Sequence, residues 1–339
     1  MKPGARNSIT DVEGLLVGNA QDDKLKSGVT VLTAKEPFIA SVAVHGGAPG
    51  TRDTELLSPE NTVDRTDALV LSGGSAFGLD SASGVQAWLK ENGRGFTVGS
   101  MSVPIVPGAI LFDLINGGDK SWGKYPPYRD LGWEACKNAS PEFEIGSAGA
   151  GNGALVADLK GGLGTASIQL DNGIIIGALF AVNALGSPLI ANTRFFRAAQ
   201  FERMAEFGGL GFPTKRPQRG DEVSIKFREQ TGPAQNTTIG IVATDAALSK
   251  SEAKRLAIAA HDGIANAIWP AHTPMDGDLI FSVATGTNQQ TVGHADWIDL
   301  SAAAASVTAR SISRGVFNAT QQANDLFPTY QDKFSTQSP

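Results

Sequence analysis

The sequence predicts a layered protein of the α/β or α+β class, in which helices cover β-sheet. Short apolar, largely β-branched runs are typical of buried strands, and they recur over the whole chain. Helical patterns lie between these runs. With 339 residues, the chain is long enough to form one large core or two domains.

The strand signal comes from runs of Val, Ile, Leu, Phe and Thr that are bounded by turn residues. Because these runs are spread from the first tenth of the chain to its last fifth, strands are expected throughout. The predicted strands are Val29–Thr33, Phe38–His45, Ala68–Leu71, Ile174–Asn183, Thr238–Thr244 and Leu279–Thr285.

Helices are predicted at about 75–89, 249–268 and 300–317. The middle segment carries the clearest signals, because Ser249 and Glu252 form a capping box at its start and Pro270 ends it. Ser75 is expected to cap the first helix. The third helix is rich in alanine, which permits close packing.

Composition and charge exclude several classes of partner. The net charge is −6, and no run of Lys and Arg is longer than two residues, so a nucleic-acid interface is not expected. Charged residues make up 18% of the chain, against roughly 25% in an average globular protein. The thin polar surface favours a homo-oligomer, a tetramer or larger.

The cellular compartment of the protein is predicted from its single cysteine and from the absence of targeting signals. Cys136 cannot form an internal disulfide or a cysteine metal cage, which indicates a reducing compartment. The first residues lack the apolar stretch of a signal peptide, and no apolar run approaches 18 residues. A soluble, cytoplasmic protein without membrane contact is therefore expected.

The segment Lys215–Gln235 is predicted to be an exposed surface connection. It contains Pro217, Gly220, Gly232 and Pro233 among many charged and amide side chains.

A serine-hydrolase site has little support in this sequence. The run Gly73–Gly78 resembles Gly-x-Ser-x-Gly, but its last glycine comes one residue late. Only four histidines are available as a base, and His261 is expected to be structural because it lies within a predicted helix. The spacing His-Glu-x-x-His does not occur, so a metal is not expected. The histidines are His45, His261, His272 and His294.

A dinucleotide site is also not expected. Gly149–Ala154 fits the pattern Gly-x-Gly-x-x-Gly/Ala, and Asp171 follows at a suitable distance. The fingerprint requires a helix next, whose N-terminus binds the pyrophosphate. Only Leu155–Lys160 separates the pattern from Gly161, which is too short for that helix. No nicotinamide or flavin cofactor is predicted.

Two carboxylates stand where an apolar strand begins. Asp276 and Asp278 come directly before Leu279–Val283 and share one face if the strand starts there. The pair could bind a hard cation, could orient a nucleophile, or could be solvated turn residues.

Asn236 and Thr237 lie where a polar segment enters an apolar run. Threonine has high β-propensity, so a plain strand residue is one interpretation. The other is that the Thr237 hydroxyl attacks the Asn236 carbonyl and frees Thr237 as a new N-terminus. An α-amine has a pKa of about 7.7–8.0, so it can activate its own hydroxyl without a histidine.

Taken together, the motifs resemble those of the self-processing L-aminopeptidase/D-esterase peptidases. This family includes β-peptidyl aminopeptidases and nylon-oligomer hydrolases, and the Asn-Thr pair is most similar to the nylon-oligomer branch. The matching blocks cover nearly the whole chain. They are Asn7–Val12, His45–Arg52, Leu71–Leu79, Val103–Pro107, Gly149–Gly151, Lys160–Ser167, Asn236–Thr238 and His272–Asp278.

The resemblance implies a single four-layer αββα sandwich, with the layers of N-terminal-nucleophile hydrolases but a different connectivity. It implies autocleavage between Asn236 and Thr237, which would give chains 1–236 and 237–339. Thr237 would be the nucleophile, and Asn183 would donate to the oxyanion. Asp276 and Asp278 match two acidic residues that assist the nucleophile.

Further roles carry over less directly. The family tyrosine matches Tyr125 best, with Tyr128 as the alternative. The lysine of the nylon branch matches Lys160, although some relatives carry it where this chain has Asp158. His45 stands where many relatives have arginine. The resemblance also places Gly73, Gly74 and Ser75 along the substrate cleft.

The predicted function is hydrolysis of amide or ester bonds in small peptides, amino-acid amides and esters, or 6-aminohexanoate oligomers, without metal or organic cofactor. One alternative is an acyltransferase similar to the ornithine acetyltransferases, which also use a threonine exposed by autocleavage. Another is an uncleaved binding protein that keeps the fold without turnover.

Overall fold

The computed structural model describes residues 1–191, 193–215, 217, 222–228 and 236–335. Its strands are β1 (Leu15–Asp22), β2 (Ser27–Val44), β3 (Thr51–Arg52), β4 (Thr66–Ser72), β5 (Phe96–Val98), β6 (Met101–Val103), β7 (Gly108–Ile110), β8 (Leu155–Val156), β9 (Leu159–Lys160), β10 (Gly162–Gln169), β11 (Ile175–Asn183), β12 (Thr237–Ala246) and β13 (Leu279–Asn288). Its α-helices are α1 (Ser81–Glu91), α2 (Tyr128–Lys137), α3 (Lys250–Ala267), α4 (His294–Phe317) and α5 (Tyr330–Phe334).

Strand β2 joins two sheets. Residues 27–34 pair with β1, and part of this half also pairs with β4, whereas residues 39–44 pair with β13. The two predicted strands at 29–33 and 38–45 are therefore one continuous element. The sequence suggested a break because Lys35, Glu36 and Pro37 interrupt the apolar pattern.

The main strands follow the order β10-β11-β12-β13-β2-β4-β7-β3, with β1 beside β2. The β12–β13 and β4–β7 pairs are parallel, and the other pairs along this path are antiparallel. Because β12 and β13 are parallel neighbours, both begin at the same end of the sheet.

In the part of the chain that the structure describes, the core has three apolar clusters that separate four layers. Helices α3 and α4 pack on the sheet of β10 to β13, while α1 and α2 pack on the sheet that contains β4. The third cluster lies between the sheets. Successive residues of β12 alternate accordingly, since Ile241 enters the central cluster and Val242 faces the α3–α4 layer. The αββα prediction is confirmed.

The three predicted helices are present as α1, α3 and α4, with shifted ends. The capping box of α3 is confirmed, because the Ser249 side chain accepts a hydrogen bond from the Glu252 N–H. Helix α4 begins at His294, before the predicted start, and α2 was not predicted. The expected cap at Ser75 is wrong: Gly74 occupies the N-cap of a 3₁₀ helix over Ser75–Asp80, which makes no side-chain cap bond.

The glycine pattern that begins at Gly149 forms a 3₁₀ turn over Gly149–Gly151, and the β8–β9 hairpin follows. This segment therefore lacks the helix that a dinucleotide site requires. Among the helices within the described ranges, none has the length and apolar character needed to cross a membrane.

Candidate active site

Three strand ends meet where Thr237 begins β12. Asn183, the last residue of β11, is the register partner of Thr237, and β13 begins at Leu279 directly after Asp278. The side chains of Thr237, Asn183, Asp276 and Asp278 are all buried. The structure thus brings Asn236 and Thr237, at the start of β12, close to Asp276 and Asp278, which precede β13.

Backbone hydrogen bonds to the turn at Gly277 hold Asn236, the residue before Thr237. The Gly277 N–H donates to the Asn236 carbonyl oxygen at 2.8 Å, and the Asn236 N–H donates to the Met275 carbonyl at 3.2 Å. These bonds form a short parallel bridge between Asn236 and Asp276. The carbonyl that precedes Thr237 is therefore polarised by a fixed backbone donor.

Glycine is required at position 277 because Thr237 and a neighbouring loop approach it closely. A Cβ atom there would lie 2.9 Å from the Thr237 Oγ1 atom and 2.8 Å from the Ala48 carbonyl oxygen. The threonine hydroxyl therefore lies directly against the backbone that donates to the Asn236 carbonyl.

Asp278 fixes the start of β12. Its Oδ1 atom accepts from the Thr238 N–H at 2.8 Å. Its Oδ2 atom accepts from the His272 N–H at 3.0 Å and lies 2.9 Å from the His272 Nδ1 atom. Since an ionised carboxylate only accepts hydrogen bonds, these contacts hold Nδ1 as a donor.

Asp276 is a second buried carboxylate in the same turn. Its Oδ2 atom accepts from the Thr273 N–H at 2.9 Å and from the Thr273 hydroxyl at 2.6 Å. Burial raises the pKa of Asp276, and the nearby Asp278 carboxylate raises it further. The turn therefore contains two acids in different environments.

Asn183 is oriented through both ends of its amide. Its Nδ2 group donates to the Phe112 carbonyl at 2.8 Å, and its Oδ1 atom accepts from the Leu155 N–H at 3.0 Å. An amide nitrogen carries two N–H groups, so the second can donate to an oxyanion.

Lys226 lies beside Asn183, and the sequence analysis did not single it out. Its Nζ atom donates to the Leu155 carbonyl at 2.9 Å, to Asn183 Oδ1 at 3.1 Å and to the Asn183 carbonyl at 3.3 Å. Burial lowers the pKa of Lys226 to about 7, although Asp276 and Asp113 oppose the shift. An amine that changes charge near neutral pH therefore contacts the Asn183 amide.

The surface prediction for Lys215–Gln235 is thus wrong for part of the segment. Lys226 is 3% exposed, and its N–H donates to the Leu185 carbonyl at 3.0 Å. Its neighbours Ile225 and Phe227 are apolar, and this was the available signal of a buried stretch. The prediction for Gly220, Gly232 and Pro233 lies outside the described residues.

The burial of Lys226 predicts a pH-dependent difference in stability. An unfolded lysine has a pKa of 10.5 and the folded one about 7, so the unfolded state binds more protons between these values. The free energy of unfolding of the wild type should therefore rise with pH, relative to Lys226→Met, from about pH 7 upward. Urea denaturation at pH 6 to 9 measures this difference. A difference that stays constant over this range would contradict the assignment.

Lys160 does not join this group. Its Nζ atom donates to Asp325 Oδ2 at 2.8 Å and to Gln322 Oε1 at 3.2 Å, and Lys26 pairs with the same Asp325. The structure therefore does not bring the Lys160 amine to Asn183, whereas Lys226, from another segment, contacts it. The alternative position, Asp158, pairs with Lys333.

The two candidate tyrosines also lie elsewhere. Tyr125 is 74% exposed, with the Lys124 ammonium 5.1 Å from its ring centre. Tyr128 is buried and donates from its hydroxyl to Ser27 Oγ at 3.1 Å, and burial raises its pKa. Neither tyrosine lines the cavity beside Asn183, whose aromatic lining residues are Phe112 and Phe227.

The loop of Gly73, Gly74 and Ser75 contacts the candidate site through Asp113. Gly74 N–H donates to Asp113 Oδ1 at 2.7 Å, and a Cβ atom at Gly73 would lie 2.2 Å from Oδ2. Gly74 has φ +86° and abuts the Tyr128 ring, so a side chain is excluded there. The Ser75 N–H donates to the Leu111 carbonyl at 2.9 Å.

A small cavity opens beside Asn183. Burial raises the pKa of Asp113, which forms part of its wall. Four of the lining residues are apolar, and Asn116, Asn183 and Lys226 provide further hydrogen-bonding groups. The lining residues are Phe112, Asp113, Ile115, Asn116, Leu155, Asn183, Lys226 and Phe227.

Solved structures share this architecture. The chain superposes on the L-aminopeptidase D-Ala-esterase/amidase of Ochrobactrum anthropi with TM-score 0.70 and 18% identity, covering 99% of this chain and 96% of that one. A β-aminopeptidase of Burkholderia sp. gives TM-score 0.68 and 21% identity, covering 100% and 96%. The fold is that of aminopeptidases with a variant N-terminal-nucleophile hydrolase architecture.

Sequence comparison gives the family. Residues 7–325 match peptidase family S58, and the chain belongs to this family. An uncharacterized aminopeptidase of Mycobacterium tuberculosis is 42% identical, covering 97% of this chain and 98% of the relative. A 6-aminohexanoate-oligomer endohydrolase of Kocuria sp. is 29% identical, covering 81% and 74%. The protein is a hydrolase that acts on amide bonds.

Proposed function

We propose that the chain cleaves its own Asn236–Thr237 bond and that Thr237 then acts as the nucleophile of a small-molecule amidohydrolase. The observation that carries the proposal is the 2.8 Å hydrogen bond from the Gly277 N–H to the Asn236 carbonyl, beside the Thr237 hydroxyl. A fixed donor on a carbonyl stabilises the oxyanion that forms when that carbonyl is attacked.

Self-cleavage proceeds by an N-to-O acyl shift. The Thr237 Oγ1 atom bonds to the Asn236 carbonyl carbon, and the Gly277 N–H stabilises the oxyanion. The hydroxyl proton passes to the Thr237 nitrogen, the bond from that carbon to this nitrogen breaks, and the nitrogen leaves as a free amine. Water hydrolyses the resulting ester, which produces a carboxylate at Asn236 and a free amine and hydroxyl at Thr237.

The processed threonine then hydrolyses substrate. The α-amine of Thr237 accepts the hydroxyl proton while the oxygen adds to the substrate carbonyl. The second N–H of the Asn183 amide donates to the developing oxyanion. The substrate amine departs with the proton, and water releases the acyl group. This sequence of steps uses no metal and no organic cofactor.

Three neighbouring residues position this chemistry. Asp278 holds the Thr238 N–H and so fixes the start of β12, while Asp276 anchors the turn through Thr273. Lys226 donates to Asn183 Oδ1, which directs the amide nitrogen away from the lysine. In this account Lys226, rather than Lys160, has the lysine role.

The proposed substrates are small amides and esters. The cavity wall offers Phe112, Ile115 and Phe227 to an apolar acyl chain. Relatives named as aminopeptidase and 6-aminohexanoate-oligomer endohydrolase support short peptides, amino-acid amides and esters, or nylon oligomers.

Product analysis tests this function. The purified chain is incubated with a panel of amino-acid amides, amino esters and 6-aminohexanoate oligomers, in water and with an added primary amine. We expect free acid and amine as products, detected by mass spectrometry. Predominant transfer of the acyl group to the added amine would favour the acyltransferase alternative, and no turnover of any panel member would contradict the proposal.

We also propose a cytoplasmic homo-oligomer, a tetramer or larger. Besides the low charge content, the β5–β6 hairpin exposes Phe96, Val98, Met101 and Val103, which is typical of a contact surface. Light scattering on the purified protein measures the mass in solution. A monomer, dimer or trimer at micromolar concentration would contradict the proposal.

A further inference from the structure

The fold gathers three of the four histidines that the chain contains. His45 follows β2, His261 lies in α3, and His272 precedes β13. One ring nitrogen of each lies within 4.8 Å of the others. The His45 and His261 rings stack with centroids 3.7 Å apart, and His272 lies 4.9 Å from His261. Sequence spacing gave no sign of this cluster, because the residues come from three separate segments.

Two of the rings form a hydrogen bond through one nitrogen, which leaves the other nitrogen for a ligand. His272 Nδ1 lies 2.9 Å from Asp278 Oδ2, and His261 Nε2 lies 3.0 Å from the Ala43 carbonyl. Both partners accept hydrogen bonds, so these nitrogens carry protons. The lone pairs are then on His272 Nε2 and His261 Nδ1. A carboxylate or carbonyl behind each ring is the usual outer support of a metal-bound histidine.

The His261 ring supplies an independent observation. It is 2% exposed, and within the described ranges its Nδ1 atom is buried without a hydrogen-bond partner. Buried polar atoms nearly always have a partner. This nitrogen is therefore available to bind a ligand from outside the chain.

We propose that His45, His261 and His272 bind one divalent transition-metal ion, with Zn²⁺ as the best match. Imidazole nitrogens are preferred ligands of Zn²⁺, at about 2.0–2.1 Å and in tetrahedral geometry. His45 is exposed at the mouth of the cluster, so its ring can turn from the stack and present a nitrogen. Water takes the fourth position there.

The ion would stabilise the start of β12 indirectly, through His272 and Asp278. Asp278 contacts both His272 and the Thr238 N–H, so metal binding to His272 restrains the carboxylate that positions this strand. The ion takes no part in the threonine chemistry. Its binding also does not depend on self-cleavage, and the two proposals fail independently.

Metal titration of the full chain tests the site. The protein is stripped with a chelator and dialysed, then titrated with Zn²⁺ by calorimetry and with Co²⁺ by visible absorption. We expect one ion per chain and the strong absorption bands of tetrahedral Co²⁺. His45→Ala should weaken binding by at least about tenfold, and Zn²⁺ should raise the Tm of the wild type more than that of the variant.

His294→Ala is the matched control, because His294 is exposed at the start of α4, outside the cluster. It should bind Zn²⁺ like the wild type. His45 is exposed, so its removal is expected to preserve the fold, which circular dichroism verifies. Absence of stoichiometric binding by the wild type, or equal affinity of His45→Ala and wild type, would overturn the proposal.

Discussion

Thr237→Ala is expected to produce a single intact chain without amidase activity. The variant lacks the oxygen that attacks the Asn236 carbonyl, so the bond persists and no new N-terminus forms. Removal of a nucleophile lowers kcat by at least about 10⁴-fold in comparable hydrolases. Electrophoresis under denaturing conditions and an amide-hydrolysis assay measure both losses on one preparation.

The adjacent residue offers a matched control. Thr238 is also a buried threonine, but its Oγ1 atom has no hydrogen-bond partner within the described ranges, and Asp278 uses only its N–H. Thr238→Val keeps the shape and should retain cleavage and activity. Thr237→Ser keeps the hydroxyl and should still cleave. Cleavage of Thr237→Ala at the same bond would refute the assignment of the nucleophile.

Asn183→Ala is expected to self-cleave but to lose kcat by about 10²–10³-fold, the usual effect of removing one oxyanion donor. Cleavage should persist because the Gly277 N–H, rather than Asn183, donates to the Asn236 carbonyl. KM should change less than kcat, since the donor acts mainly on the transition state. Steady-state kinetics on the processed variant measures the changes in kcat and KM separately.

Asn183 also accepts from Lys226, so a second variant separates catalysis from stability. Asn183→Asp keeps an acceptor for Lys226 and for the Leu155 N–H but lacks amide donors. It should lose kcat to a similar degree. Asn138→Ala, at a surface amide that donates to the Asn19 carbonyl, should leave kcat unchanged. Near-normal turnover of both Asn183 variants would remove this residue from the proposed mechanism.

Much of the fold follows from local sequence signals. The Ser249 capping box, the apolar runs of β12 and β13, and the carboxylates before β13 all act within a few residues of one another. Strand ends could also be placed, so the meeting of Thr237 with Asp276 and Asp278 was within reach of sequence reasoning. The continuity of β2 could not be predicted from the sequence, because tertiary strand pairing overrides the polar interruption at 35–37.

The lysine and tyrosine assignments illustrate the limit. Lys160 lies in a matching block, yet its ammonium pairs with Asp325, 165 residues later in the chain. Lys226 belongs to a polar segment, and only the fold reveals that its side chain enters the site. Tyr125 faces solvent, and Tyr128 is buried and donates to Ser27. Which side chain of a distant segment lies beside Asn183 depends on tertiary packing, which residue spacing does not encode.

The central claim is self-cleavage at Asn236–Thr237, and intact-mass spectrometry of the denatured protein tests it most directly. After incubation at neutral pH, the account predicts two species, with masses of fragments 1–236 and 237–339. N-terminal sequencing of the smaller one should begin Thr-Thr-Ile-Gly. A single species at 35.2 kDa that stays intact would contradict the account, as would a new N-terminus at another residue.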